Sequence, residues 1–238
     1  MITTKEAVIV LVDGISDKIT FVRGFEDYYK EHNTNVRIYP IRYDVSNVCS
    51  IKNGVFDASI IKKELTNIVK KCLNINKLNK SDIKEVIEVV DIDGVYLNPC
   101  LIKEDKGIGE ITYYKDKILV IDKELILKRN ENKKRNLDIL SKLSSIYDGI
   151  PYSAYYCSCN LEHVFNNKMN CSDEEKEKFS NKHLIDYTED ISLFYNDINK
   201  NEVKTRAITY LESWDELMKI EDHVPRLTNL SMFFKDKN

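Results

Sequence analysis

The chain has 238 residues, enough for one domain with a sizeable core, and its 42% hydrophobic and 32% charged residues exclude a disordered protein. Its formal net charge of −3 excludes a global positive field that draws the chain to nucleic acid, and leaves that role to a local basic groove or to metal ions on acidic residues. No apolar run is long enough to cross a bilayer and the N-terminus lacks the layout of a secretory signal, so we expect a cytoplasmic protein with no membrane partner and six reduced cysteines.

The first half of the chain alternates predicted strands and helices. In chain order we predict a strand at 7–12, a helix at 17–29 with Ser16 as its N-cap, a strand at 36–42, a helix at 57–73 and a strand at 86–90. Pro40 favours an edge position for the second strand, or an early end of that strand. This alternation predicts an α/β fold with a mostly parallel central sheet flanked by helices.

The second half is predicted to be richer in helix. We predict a hairpin of strands at 111–114 and 117–121, a helix at 130–147, a strand at 151–156, a short helix at 160–167, a helix that begins at the capping box 172–175, and helices near 188–198 and 207–219. We therefore divide the chain into an α/β domain, 1–165, and a mainly helical C-terminal extension, 166–238. Within the first domain, residues 97–150 are partly an insertion.

Carboxylates follow two of the predicted buried strands. Asp13 comes directly after the first strand, and Asp91 and Asp93 follow the strand at 86–90. The carboxyl ends of parallel strands open onto the binding crevice, and the two-residue period of a strand can point both side chains of an Asp-x-Asp pair the same way. Oxygen ligands of this kind suit Mg²⁺ or Mn²⁺ and hence phosphoryl chemistry. Asp-Gly after a strand is also a common turn, which is the structural alternative.

Two segments resemble a known family. Residues 10–18, Val-Leu-Val-Asp-Gly-Ile-Ser-Asp-Lys, resemble the first motif of the Toprim domain, and residues 89–93, Val-Val-Asp-Ile-Asp, resemble its second motif. Toprim domains occur in topoisomerases, bacterial primases and overcoming-lysogenization nucleases. The single-domain layout also resembles the small RloB-like proteins linked to phage defence. The two motifs cover about the first hundred residues.

The resemblance implies roles for particular residues. Asp13 matches the first acidic residue, a metal ligand or general acid/base, and Asp91 and Asp93 match the metal-binding pair for Mg²⁺ or Mn²⁺. The family usually has Glu where this chain has Asp13, and the shorter side chain favours contact through water. Asp17 matches the Ser-Asp step, although a first-turn Asp that complements the helix dipole explains it equally well.

A later stretch, residues 160–163 (Asn-Leu-Glu-His), loosely resembles a segment near the end of RloB-like proteins. By that resemblance Glu162 is a further catalytic carboxylate and His163 a proton carrier. The alternative is a helix start with solvent-facing Glu and His.

Other candidate sites have weaker patterns. The spacing of a structural zinc site is absent from the cysteines and histidines of this part of the chain, which are Cys157, Cys159, Cys171, His163 and His183. Lys18, Arg23, Arg42 and the basic run 128–135 are candidates for phosphate contacts, although such lysine runs are more often solvated helix faces. The chain has no phosphate-cradling loop, so an ATPase partner would be a separate chain.

Three functions fit these observations. The first is a divalent-metal-dependent nuclease or related phosphoryl-transfer enzyme acting on DNA or RNA, with a role in phage defence implied by the resemblance alone. The second is a catalytically degenerate Toprim-like binding or regulatory module that engages a partner protein. The third, a phosphatase or nucleotide hydrolase, ranks last because no Asp-x-Asp follows the first strand directly. The sequence leaves the oligomeric state open.

Overall fold

The computed structural model describes residues 7–32 and 36–235, so the outer ends of the two predicted domains, 1–6 and 236–238, lie outside the described residues. The first half contains β1 Ala7–Val12, α1 Ile15–Glu31, β2 Arg37–Arg42, β3 Ile51–Lys52, β4 Val55–Phe56, α2 Ala58–Asn76, a 3₁₀ turn Lys80–Asp82 and β5 Ile83–Asp91. The second half contains a 3₁₀ turn Pro99–Leu101, β6 Ile102–Glu104, β7 Thr112–Tyr113, β8 Ile118–Val120, α3 Lys123–Lys142, β9 Ser145–Ile146, β10 Ile150–Cys157, α4 Leu161–Asn166, α5 Asp173–Glu189, α6 Ser192–Asn199, α7 Tyr210–Met218 and α8 Leu230–Lys235.

The central sheet has the order β2-β1-β5-β10-β9. β1 pairs in parallel with β2 and with β5, and β5 pairs in parallel with β10, whereas β9 is antiparallel to β10. Every residue of β1 is buried because helices cover both faces of the sheet. The structure confirms the α/β fold with a mostly parallel central sheet, and it places β2 at the edge, as Pro40 predicts.

Two predicted helices, α1 and α3, have wrong boundaries. The N-cap of α1 is Gly14 rather than Ser16, and the Asp17 carboxylate accepts a hydrogen bond from the Gly14 N–H at 2.7 Å. α3 begins at Lys123 because Asp122 caps it by accepting from the Leu125 N–H, and it ends before β9, which pairs with β10. The prediction of helix at 130–147 therefore starts too late and ends too late.

The predicted hairpin is confirmed as β7 and β8, which pair antiparallel. The sequence analysis missed β6, which pairs in parallel with β8 to complete a three-stranded sheet, and it missed the two-residue strands β3 and β4. The apolar run 118–121 indicates β8, whereas no comparable apolar run indicates β3, β4 or β6.

The C-terminal helices pack into both cores of the sheet domain. Trp214 of α7 joins the core that contains α2 and α3, while Phe194 of α6 and Phe233 of α8 join the core on the opposite face. A Cβ atom at Gly24 would lie 2.3 Å from Cε1 of Phe194, so α6 lies directly against α1. Residues 166–235 therefore complete the covering of the sheet. No helix within residues 7–32 and 36–235 has both the length and the apolar character that a membrane span requires.

Candidate metal centre

Acidic residues gather at the carboxyl edge of the central sheet. Asp13 directly follows β1, Asp44 lies two positions after the end of β2, and Asp91 is the last residue of β5. β10 leads through a short turn into α4, which carries Glu162. Since these four strands are parallel, all four acidic segments emerge at the same edge, where open α/β sheets bind their ligands.

Asp13 and Asp91 are direct neighbours across β1 and β5. The backbone N–H of Asp91 donates a hydrogen bond to Oδ2 of Asp13 at 3.1 Å. The other oxygen of this carboxylate, Oδ1, is buried and has no hydrogen-bond partner. Residues almost eighty positions apart thus meet, as the sequence analysis predicts for Asp13 and Asp91.

An open cavity of about 660 Å³ lies against these residues. Its acidic lining includes Asp13, Asp17, Asp91 and Glu162, and its basic lining consists of Arg42 and Lys176. The N-terminal turn of α1 forms one wall, and the first two turns of α5 form another. Thr20 and His183, whose Oγ1 and Nδ1 atoms lie 3.1 Å apart, connect α1 to α5 below the cavity.

Three carboxyl groups of the cavity lining, those of Asp13, Asp17 and Asp91, have surroundings that disfavour their ionised form. Burial raises the pKa of Asp13 well above its ordinary value, and the charges of Asp44 and Asp17 raise it further. Burial also raises the pKa of Asp91 well above its ordinary value, and the nearby carboxylates of Asp17 and Asp13 add to the effect. The pKa of Asp17 rises to about 6, chiefly through burial, although its hydrogen bond from Gly14 opposes the rise. A cation in the cavity would relieve this repulsion.

Asp93 belongs to a different arrangement. β5 ends at Asp91, and the backbone of Asp93 adopts a left-handed conformation with φ of 54°, so the two-residue strand period does not extend to it. Its carboxylate accepts a hydrogen bond at 2.8 Å from Nζ of Lys133, and it is absent from the lining of the cavity. The expectation that Asp91 and Asp93 point the same way is therefore wrong for this turn.

Lys133 is fully buried and lies between two acidic residues. Its Nζ atom is 2.8 Å from Oδ2 of Asp93 and 3.9 Å from Oδ2 of Asp44. Burial alone would lower the pKa of Lys133, but Asp93 and Asp44 more than offset this and hold the pKa above its ordinary value. The buried ammonium is therefore charged.

The sequence analysis missed this arrangement because Lys133 lies inside a basic run interpreted as a solvated helix face. Within 128–135, Lys133 is buried whereas Lys128 and Arg135 are exposed. The available signal was a helical spacing: Asn130, Lys133 and Leu137 lie three or four residues apart on one face of α3. Asp44 carried no motif of its own.

The oxygen-rich lining of the cavity fits a hard divalent cation, and the unpartnered, buried Oδ1 of Asp13 points to the same conclusion. Among the residues that the structure describes, no group of three or more His, Cys, Asp or Glu side chains is already arranged to hold a metal ion. Ligation by Asp13, Asp91 and Glu162 would thus require their side chains to rotate toward a common point.

The remaining candidates lie elsewhere or are buried. His163 is buried, its pKa is lowered to about 4 by that burial, and it is absent from the lining of the cavity, which does not favour the predicted proton carrier. Burial raises the pKa of Cys157 and of Cys159 well above its ordinary value, so neither thiol is activated. Arg23 forms an ion pair with Glu26, and Lys18 is exposed.

No protein-family model matches the chain, and a comparison with curated proteins finds no match either. The Toprim resemblance therefore continues to depend on its two short segments around Asp13 and Asp91.

Proposed function

We propose that this protein is a divalent-metal-dependent nuclease, or a related phosphoryl-transfer enzyme, that acts on DNA or RNA and has a Toprim-like architecture. The observation that carries the proposal is the meeting of Asp13 and Asp91 at the carboxyl edge of the sheet, beside a cavity that Glu162 also lines. Mg²⁺ or Mn²⁺ held there would neutralise charge that develops on a phosphodiester and lower the pKa of a water molecule.

The basic residues of the cavity supply the complementary part. Arg42 is anchored by the hydrogen bond that its Nε donates to the carbonyl oxygen of Asp13 at 3.2 Å, and Lys176 reaches the cavity from α5. A guanidinium and an ammonium group beside a cluster of carboxylates can hold the phosphate oxygens of a substrate next to the acidic residues. This local pair of basic groups supplies positive charge for phosphate binding, which the overall net charge of −3 does not supply.

The test is cleavage of labelled single-stranded and double-stranded DNA and RNA in the presence of MnCl₂, by wild type and by Asp91→Asn. Asparagine has the same shape as aspartate but lacks the charge that a metal requires, so we expect cleavage to fall at least about a hundredfold. Asp215→Asn, which removes the same charge from an exposed position on α7, is the matched control and should cleave like wild type.

Circular dichroism should show that Asp91→Asn remains folded. Equal cleavage by Asp91→Asn and wild type would remove the proposal, because the observed activity would then come from elsewhere.

A second function, a regulatory module that binds a partner protein without catalysis, is favoured by one observation. Oδ2 of Asp13 already accepts a hydrogen bond from the backbone of Asp91, and among the described residues no three acidic side chains are arranged to hold a metal ion. Calorimetric titration with MnCl₂ separates the two functions. Absence of binding, together with absence of cleavage on all four substrates, would favour the module.

A role in phage defence is proposed from the resemblance alone. A separate ATPase chain remains a possible partner, because the sequence has no phosphate-cradling loop of its own.

A further inference from the structure

Lys133 is a built-in cation at the carboxyl edge of the sheet. Its side chain is 0% exposed, whereas those of its partners Asp93 and Asp44 are 23% and 18% exposed. A buried ammonium is stable only when its charge is compensated, so this lysine and the two carboxylates form a unit. The unit lies next to the cavity, because the backbone N–H of Asp91 already contacts Asp13 and only Ile92 separates Asp91 from Asp93.

The position of Lys133 is fixed by the packing of α3. On the same helix Asn132 accepts a hydrogen bond from Ser50, and Asn136 donates to the carbonyl oxygens of Ser46 and Val48. These bonds attach to α3 the loop that follows β2, in which Asp44 accepts hydrogen bonds from the N–H and the hydroxyl of Ser46. Helix and loop therefore hold the ammonium and its second carboxylate in place together.

One of the carboxylates that line the cavity, that of Asp13, has an oxygen atom without such a partner. Oδ1 of Asp13 is buried without any hydrogen bond, although the fully buried ammonium lies close enough to influence the charge of Asp13. Among the described residues, the carboxyl edge is thus divided into a half in which Lys133 forms ion pairs with Asp93 and Asp44, and a half, at Asp13 and Asp91, that forms no ion pair and that the charge of Lys133 compensates only in part.

We propose that Lys133 takes the place of a second metal ion, so that the site binds a single divalent cation, at Asp13, Asp91 and Glu162, while Asp93 is a positioning residue rather than a ligand. This inference depends on the proposed metal-dependent function and specifies its metal count. Phosphoryl-transfer sites use either one ion or a pair, and a fixed ammonium beside one ion supplies the second positive charge without a second binding equilibrium.

The test is to count the Mn²⁺ ions bound per chain, by electron paramagnetic resonance of free Mn²⁺ during titration with MnCl₂ alone. Wild type should bind one ion. Lys133→Met, which keeps an unbranched side chain but removes the charge, leaves Asp93 and Asp44 uncompensated and should bind two ions. The double variant Lys133→Met/Asp93→Asn leaves only one carboxylate there and should return to one ion.

Lys134→Met is the matched control, because Lys134 lies on the same helix and its Nζ is 5.8 Å above the ring of Tyr96. It should bind one ion. In thermal denaturation, MnCl₂ should raise the melting temperature of Lys133→Met by more than it raises that of wild type, because the metal replaces the lost ammonium. A lysine with a purely structural role would lower the melting temperature without changing the number of ions.

The outcomes distinguish the role of Lys133 from the metal-dependent function on which that role depends. Two ions bound by wild type, or one ion bound by a folded Lys133→Met without additional stabilisation by MnCl₂, would overturn the role of Lys133 and leave the metal-dependent function in place. No ion bound by wild type would overturn both. Should Lys133→Met fail to fold, the double variant still decides, because two ions bound by it would contradict the assignment of Asp93.

Discussion

Both halves of the carboxyl edge contain acidic residues whose negative charge is unfavourable when it is buried. The two halves differ in how this charge is compensated. Around Lys133 the protein supplies the cation itself, and the resulting pair of Asp93 and Lys133 is a structural element. Asp13 and Asp91 form no salt bridge among the described residues. The charge of Lys133 lowers the pKa of Asp13, but burial and neighbouring carboxylates more than offset it, and the pKa of both carboxyls is raised. We infer that the carboxylate paired with Lys133 contributes to stability, whereas those of Asp13 and Asp91 are available to a ligand.

The largest expected effect is the loss of stability when the ion pair between Asp93 and Lys133 is broken. Asp93→Asn, without metal, leaves the ammonium of Lys133 with the more distant Asp44 as its remaining salt-bridge partner among the described residues, and it should lower the free energy of unfolding by about 3 kcal/mol. Urea denaturation monitored by circular dichroism measures this, with Asp215→Asn as the control of equal charge change. A change below about 0.5 kcal/mol, the size typical of surface substitutions, would show that the pair is not a structural element.

Glu88 tests whether burial alone determines the protonation state of a carboxyl group. It lies in the middle of β5, accepts a hydrogen bond from the hydroxyl of Tyr152 and is 1% exposed, and burial raises its pKa to about 8. A carboxyl whose pKa is higher in the folded state contributes stability that is fully present below its unfolded pKa and is lost as the pH rises through the folded pKa.

We therefore expect the stability of Glu88→Gln, relative to wild type, to increase by about 3 kcal/mol between pH 5 and pH 8. Thermal denaturation of both proteins across this range measures the shift. A relative stability that does not change with pH would show that Glu88 is ionised in the folded protein.

The effect at Asp13 should have the opposite sign to that at Asp93. Asp13→Asn removes a charge that burial and neighbouring carboxylates disfavour, and the amide oxygen can still accept the hydrogen bond from Asp91. Without metal we expect stabilisation by about 1 kcal/mol near pH 7, measured by the same urea titrations. This gain should disappear in MnCl₂, where wild type is stabilised by the ion and the variant is not. Destabilisation in metal-free buffer would place Asp13 with the structural carboxylates.

The smallest change in stability is expected at the basic wall of the cavity. Lys176→Met should leave the free energy of unfolding within about 0.5 kcal/mol of wild type, because the side chain is partly exposed on α5. It should nevertheless weaken the binding of a single-stranded oligonucleotide several-fold at low salt, and less at high salt. Fluorescence anisotropy in the absence of divalent metal measures this, with Lys178→Met, an exposed lysine two positions along α5, as the control. Equal binding by both variants would remove Lys176 from the substrate site.

Much of the fold follows from local patterns in the sequence. The apolar run 7–12 and the apolar run before Asp91 predict buried parallel strands. Pro40 indicates the edge of the sheet, and the capping box at Ser172 predicts the start of α5. The convergence of Asp13 and Asp91 then follows from topology, because the ends of parallel strands share one edge.

The remainder of the site depends on tertiary contacts that leave little trace in the sequence. The turn after β5 rotates Asp93 away from the direction that strand periodicity predicts. Its partner lies forty residues further along, in a run of basic residues of which only the three-dimensional packing distinguishes Lys133. Lys176, which the sequence analysis did not single out, reaches the cavity because α5 packs against α1.

The most direct test of this division is a crystal structure of the wild-type protein grown or soaked in MnCl₂, with the metal located by its anomalous scattering. The account predicts one peak, about 2 Å from carboxylate oxygens of Asp13, Asp91 and Glu162, with Lys133 still bonded to Asp93. A peak between Asp93 and Asp44, or no peak at this edge of the sheet, would contradict it.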